Sequence, residues 1–127
     1  LGLDHHEALH RAEHALVDVG LADFGSRVSY HLSGGEMRRA AIATVLSMSP
    51  EIVVMDEPSS GLDPRAARDL ASLIRQLPVT RLISSHDLDF VRACCDRVIL
   101  LNKGKVAADG PAKDILDNRE FLERNGL

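Results

Sequence analysis

Four consecutive apolar residues, Ile52-Val53-Val54-Met55, constrain this chain more than any other feature. They are bounded by Pro50 and Pro58 and followed at once by Asp56-Glu57. A short, β-branched apolar run between prolines reads as a strand buried on both faces, as in a parallel sheet. Two carboxylates at the C-terminal end of such a strand are costly unless something uses them, because desolvated charge requires a partner. Mg2+ held together with phosphates is a natural partner, since this ion takes carboxylate and water oxygens. The second acid is then free to orient or deprotonate a water. A pair of turn or helix-capping acids explains the same two residues less demandingly.

The elements around this strand follow from spacing and caps. Asp4 and Glu7 form a capping box for a helix over 4–19, with Leu9, Ala12, Leu16 and Val19 as its buried stripe and Gly20 as its C-cap. Residues 21–32 read as a connector. Ser33 and Glu36 form a second capping box, opening a helix whose Ala40, Ala41, Ile42, Ala43, Val45 and Leu46 predict deep burial. Asp63 and Pro64 start a third helix that buries Ala66, Leu70, Leu73, Ile74 and Leu77. Thr80 to Ser84 is a second strand, residues 88–95 a short helix, Val98 to Leu101 a third strand and Lys105 to Ala108 a fourth. Asn102-Lys103-Gly104 predicts a hairpin turn, and Pro111 opens a last helix through Ile115 and Leu116. Strand, helix, strand, helix, strand is the grammar of an α/β fold with a parallel sheet, whose chemistry sits at the C-terminal strand ends.

Composition narrows the classes. The 127 residues suit one domain or part of one. Apolar residues make up 45% and aromatic residues 3%, so the core must be aliphatic. A formal charge of −4 argues against a general nucleic-acid binder. No apolar run is long enough to span a bilayer, and LGLDHHEALH at the start is not a signal segment. Cys94 and Cys95 are adjacent, with no third cysteine, and read as two reduced thiols on a helix.

Three further places carry potential chemistry. Ser33-Gly34-Gly35-Glu36 opens a helix; its glycines expose backbone N–H groups, and the helix terminus favours an anion. A capping box after a flexible turn accounts for it equally well. His86 follows the second strand, and Asp63 has a complete reading as a helix cap.

Read in order, LSGGE (Leu32–Glu36), IVVMDEP (Ile52–Pro58), SSGLD (Ser59–Asp63) and SSHD (Ser84–Asp87) closely resemble the signature motif, Walker B strand, D-loop and switch-histidine loop of the ABC ATPases. The resemblance runs from about Ser26 to Ile115. It implies a partial P-loop NTPase fold of α/β class, a mostly parallel sheet with flanking helices and no P-loop strand. It implies ATP and Mg2+ as ligands. Asp56 would hold the metal through water, Glu57 would be the general base, and His86 would contact the γ-phosphate. Ser33, Gly34, Gly35 and Glu36 would meet ATP held by the opposite subunit, and Asp63 would lie across the dimer interface. This is phosphoryl transfer, in which catalysis is positioning plus electrostatics.

The sequence also departs from the family. No G-x-x-x-x-G-K-[ST] is present; Gly104-Lys105 is followed by Val106, and residue 99 is Ile. The expectation is the C-terminal part of one ABC ATPase domain over 1–127. Residues 1–48 would form the helical subdomain and signature helix. Residues 49–127 would carry Walker B, D-loop, switch histidine, hairpin and terminal helices. A truncated piece, a gene remnant or an independently coded half would each account for it. The family's P-loop strand lies beside the switch-histidine strand, so a gap or exposed sheet edge is expected, with self-association or rearrangement there, poor ATP binding and no catalysis alone. Glu36 stands where the family most often has Gln, a tolerated change that keeps the capping box.

The stretch from His31 to Pro64, with SSHDLDFV and LNKGKVAADGPAKDIL, looks most like the ATPase subunits of energy-coupling-factor importers, nearest the cobalt and nickel branch. That branch implies a second ATPase subunit and transmembrane subunits as partners, no nucleic acid, and a cytoplasmic, peripheral place on the inner face of the cell membrane. A non-catalytic module pairing with a complete ATPase, and a soluble ABC ATPase, are the competing readings. Separately, His6, His10 and His14 recur at steps of four on one helix face. Imidazoles so spaced can bind a transition metal, although an exposed polar face is the simpler reading.

Overall fold

The computed structural model describes residues 2–25 and 32–127. Helix α1 (His5–Asp18) and a single 3-10 turn (Ala22–Phe24) precede helix α2 (Gly34–Leu46). Strand β1 (Ile52–Asp56), helix α3 (Pro64–Gln76) and strand β2 (Thr80–Ser84) form the central unit. Helix α4 (Leu88–Cys94), strands β3 (Arg97–Asn102) and β4 (Lys105–Pro111), and helices α5 (Ala112–Leu116) and α6 (Arg119–Arg124) complete the chain.

The predicted N-caps form, but at Asp4 only half of the expected box closes, the Glu7 carboxylate accepting instead from Arg11 Nε at 2.7 Å. Asp4 accepts from the Glu7 amide at 2.8 Å. Ser33 accepts from the Glu36 amide at 3.3 Å, while the Glu36 carboxylate accepts from the Ser33 amide at 2.7 Å, closing the capping box. Asp63 accepts from the amides of Arg65 and Ala66 at 2.9 and 3.0 Å. Each satisfies backbone donors that a helix start leaves without partners. Gly104 takes φ +73° in the β3–β4 hairpin, the conformation its turn requires.

The strands form two separate pairs. β1 and β2 are parallel, with Asp56 beside Ser84 in register, and β3 and β4 are antiparallel. The expected continuation of the parallel sheet into β3 is corrected here: among the described residues β2 has β1 as its only strand neighbour. A cleft of about 980 Å3 lies between β2 and β3, with Leu82, Ile83, Ile99 and Leu101 among its walls.

The expectation of a β1 buried on both faces is corrected too. Val53 and Met55 are buried against the helices, but Ile52 is 60% and Val54 69% exposed. Leu82, Ile99, Leu101 and Val106 are likewise exposed on the other strands. Helices cover one face of these sheets only, so the continuous apolar run has partners for alternate residues.

The main core joins α1, α2, α3, β1 and α4 through Val19, Ile42, Val53, Leu70, Ile74 and Phe90. A second cluster packs α4, β3, α5 and α6 through Val91, Leu100, Ile115, Leu116 and Leu122. In α1 the buried stripe differs from expectation: Ala15 and Val19 are buried and Leu16 partly so, whereas Leu9 and Ala12 are exposed. The helix meets α2 and the 3-10 turn, and only its C-terminal half is covered. In α2, Ile42 and Ala43 are buried, Ala40, Val45 and Leu46 half-buried and Ala41 exposed. Both cysteines are free, and Cys94 is buried.

Candidate functional site

The chemistry gathers at the C-terminal ends of β1 and β2. Parallel register sets Asp56 opposite Ser84, and the Ser84 hydroxyl donates to the Asp56 carboxylate. One residue on, the Glu57 amide donates to the Ser84 carbonyl at 2.9 Å, which extends the ladder by one bond. Glu57 sits at φ +46°, a left-handed conformation that costs a branched or long side chain some strain. That turn aims its carboxylate at the loop after β2. Glu57 Oε1 accepts from the His86 amide at 3.1 Å and lies 2.8 Å from His86 Nδ1. Glu57 Oε2 accepts from the Ser85 hydroxyl at 3.3 Å. The hydrogen bond and charge of Glu57 raise the His86 pKa above its ordinary 6.5. The His86 side chain is otherwise open to solvent.

A second group lies apart from the first, in a groove of about 310 Å3 between the start of α2 and the loop before α3. Ser33, Gly34, Gly35 and Asp63 line it together with Gly61 and Arg39. A Cβ on Gly35 would meet Ala66 Cβ at 3.8 Å, so α2 and α3 start side by side. Arg38 ties the two segments, its guanidinium donating to the Ser60 carbonyl at 2.8 Å. Arg39 Nε is buried with no hydrogen-bond partner among the described residues. The amides of Arg65 and Ala66, bonded to the Asp63 carboxylate, hold its pKa below 3.8, Ala66 first.

The predicted site residues therefore fall into two groups. Asp56, Glu57 and His86 come together at the strand ends; Ser33, Gly34, Gly35 and Asp63 share the groove. Glu36 stays at the helix start, its carboxylate engaged with the Ser33 amide. Sequence reasoning assigned no role to Ser84 and Ser85, although both stand inside the SSHD motif. Their hydroxyls hold the two acids, which only the strand register reveals. Arg39 also escaped notice, since its burial depends on how α2 meets α3.

As donors for Mg2+, the fitting residue is Asp56, an exposed carboxylate at a strand end beside a hydroxyl. This ion takes one or two carboxylates and fills its remaining positions with water and phosphate oxygens. Among the described residues there is no group of three or more His, Cys, Asp or Glu side chains placed to hold a metal ion.

Comparison with known proteins agrees with the geometry. The family model described as ABC transporter matches residues 3–60. The chain is 53% identical to a protein of Geobacter sulfurreducens named as an ABC transporter ATP-binding protein, covering 96% of this chain and 49% of that one. It is 46% identical to the energy-coupling factor transporter ATP-binding protein EcfA of Carboxydothermus hydrogenoformans, over 100% of this chain and 48% of that one. Among solved structures, cbiO1 of Clostridium perfringens, described as part of the ABC transporter complex cbiONQ, superposes with a TM-score of 0.85. It is 31% identical, covering 98% of this chain and 51% of that one. The chain thus spans about half the length of the relatives it matches. With the motifs, the strand-end acids and these likenesses in agreement, the chain is similar over nearly its whole length to ABC transporter ATP-binding proteins and has a partial P-loop NTPase fold of the ABC ATPase kind.

Proposed function

We propose that this chain supplies the catalytic and signature residues of an ATP-hydrolysing subunit in an importer of the energy-coupling-factor type, with cobalt, nickel or a related solute as cargo. The observation that carries the reading is the Glu57–His86 pair, a carboxylate at a strand end bonded to both the amide and ring of the loop histidine. Glu57 is oriented as a general base for an attacking water, held by Ser85 and His86. The Glu57 carboxylate favours the charged form of His86, and the likeness to ABC ATPases supports a γ-phosphate contact for this histidine. Bound Mg2+ would sit at Asp56 and offset phosphate charge. In the groove lined by Ser33, Gly34 and Gly35, the two glycines offer backbone N–H groups at a helix start to a phosphate held by a second ATPase subunit. The buried Arg39 Nε in its wall is a further donor without a partner among the described residues. Glu36, engaged with the Ser33 amide, holds that helix start in shape.

Transmembrane subunits complete the importer in this reading, and the ATPase rests on the inner face of the membrane. No helix among the described residues is long and apolar enough to cross a bilayer. A second reading is a non-catalytic module that pairs with a complete ATPase through the groove of Ser33, Gly34 and Gly35, which lies apart from the strand-end acids. Mixing the chain with a P-loop-bearing half-domain and measuring phosphate release separates the two. Hydrolysis that disappears in Glu57→Gln while nucleotide binding persists supports the catalytic reading. Equal hydrolysis by Glu57→Gln sinks it.

A further inference from the structure

On helix α1 the rings of His10 and His14 lie 4.4 Å apart, centroid to centroid, tilted by 53°. Both side chains are exposed, far from the strand-end acids in sequence and outside either group of site residues. Spacing alone gives neighbours at i and i+4; it does not bring two rings face to tilted face. The adjacent basic group, Arg11, is bonded to Glu7 at 2.7 Å, so its charge is partly offset beside the pair. His6 stands one turn earlier on the same stripe. No core residue depends on either ring, since the buried side of the helix is Ala15 and Val19.

From this geometry we infer that His10 and His14 form a two-nitrogen chelate for a divalent transition metal of the nickel, copper or zinc class. Imidazole suits these ions, and metal–nitrogen bonds of about 2.0–2.1 Å are within reach of rings so close after small rotations. Among the described residues no group of three or more candidate ligands surrounds one point. Helix α1 supplies these two ligands and water the others, and the ion stays exchangeable. Binding across one helical turn also fixes that turn, so the metal stabilises the folded chain by mass action.

The test is a titration of the whole 127-residue chain with Ni2+ alone, near neutral pH, read by calorimetry and by thermal unfolding. One bound equivalent is expected, with a rise in melting temperature. His10→Ala and His14→Ala should each weaken binding by at least about tenfold, since even outer partners of metal ligands are worth that much. His5→Ala, off the stripe, and Cys95→Ser, at the chain's partly accessible thiol, should bind as the parent does. Circular dichroism without metal confirms that each variant keeps its helices. Unchanged Ni2+ affinity in the His10→Ala, His14→Ala double variant overturns the inference. So does loss of binding in Cys95→Ser with the histidines intact. Neither result bears on ATP, so failure here leaves the ATPase reading standing.

Discussion

Glu57 Oε1 lies 2.8 Å from His86 Nδ1 and 3.1 Å from the His86 amide, so one carboxylate fixes ring and backbone of a residue 29 positions away. This contact has a titration signature. The His86 imidazolium is favoured first by the hydrogen bond to Glu57 and then by its charge, which places its pKa above 6.5. A pKa raised on folding favours the folded chain below the ordinary value, and that contribution is lost as pH rises through the folded pKa. An NMR pH titration of the imidazole is expected to show the upward shift, and Glu57→Gln is expected to return it toward 6.5. The same midpoint in both proteins would mean that the pair does not form in solution.

Ser33 caps α2 through its hydroxyl and closes the box with Glu36. Ser33→Ala is expected to cost about 1 kcal/mol of stability, as N-cap losses usually do. Ser33→Asp should restore most of it. Ile74→Ala is the contrasting case: Ile74 is 0% exposed in the main core, and its truncation should cost about 2–5 kcal/mol. Urea unfolding measures both. A Ser33→Ala loss as large as that of Ile74→Ala would show the α2 start to be packed, not merely capped.

The exposed strand face predicts association. Ile52, Val54, Leu82, Ile99 and Leu101 present apolar side chains to solvent, and the second edge of β2 has no strand beside it among the described residues. Exposed apolar patches and open strand edges are association sites. The chain alone is expected to exceed monomer mass in light scattering as concentration rises, and Leu82→Lys to reduce that mass. A monomer at every concentration would show that the chain closes the cleft by rearranging.

Much of this architecture was legible because it is local. The caps at Asp4, Ser33 and Asp63 need only a side chain two or three residues from the amide it accepts. The β1 run and the Gly104 turn are also local. What the sequence hid depends on contacts distant along the chain. Ile52-Val53-Val54-Met55 declares a strand but not which faces have cover, and helices reach only Val53 and Met55. The α1 stripe held at Leu16 and Val19 and failed at Leu9 and Ala12, because α2 and the 3-10 turn cover only the C-terminal part of the helix, where Ala15 joins the core. Helix α6 was missed because it buries Leu122 alone and is otherwise held by Asn118 and pairs such as Arg119–Glu123. Of the site, the residue types were readable from four motifs. The roles of Ser84 and Ser85 were not, because they follow from the β1–β2 register.

We propose that Asp56, Glu57 and His86 serve ATP chemistry, while the motif that grips the phosphates is absent from this sequence. Calorimetry of ATP with Mg2+ tests it most directly, on the chain alone and mixed with a P-loop-bearing half-domain. Heat of binding in the mixture, and none beyond dilution for the chain alone, is the predicted result. Tight binding by the chain alone would contradict it, because nucleotide would then be using a site that neither the strand-end acids nor the groove at Ser33 provides.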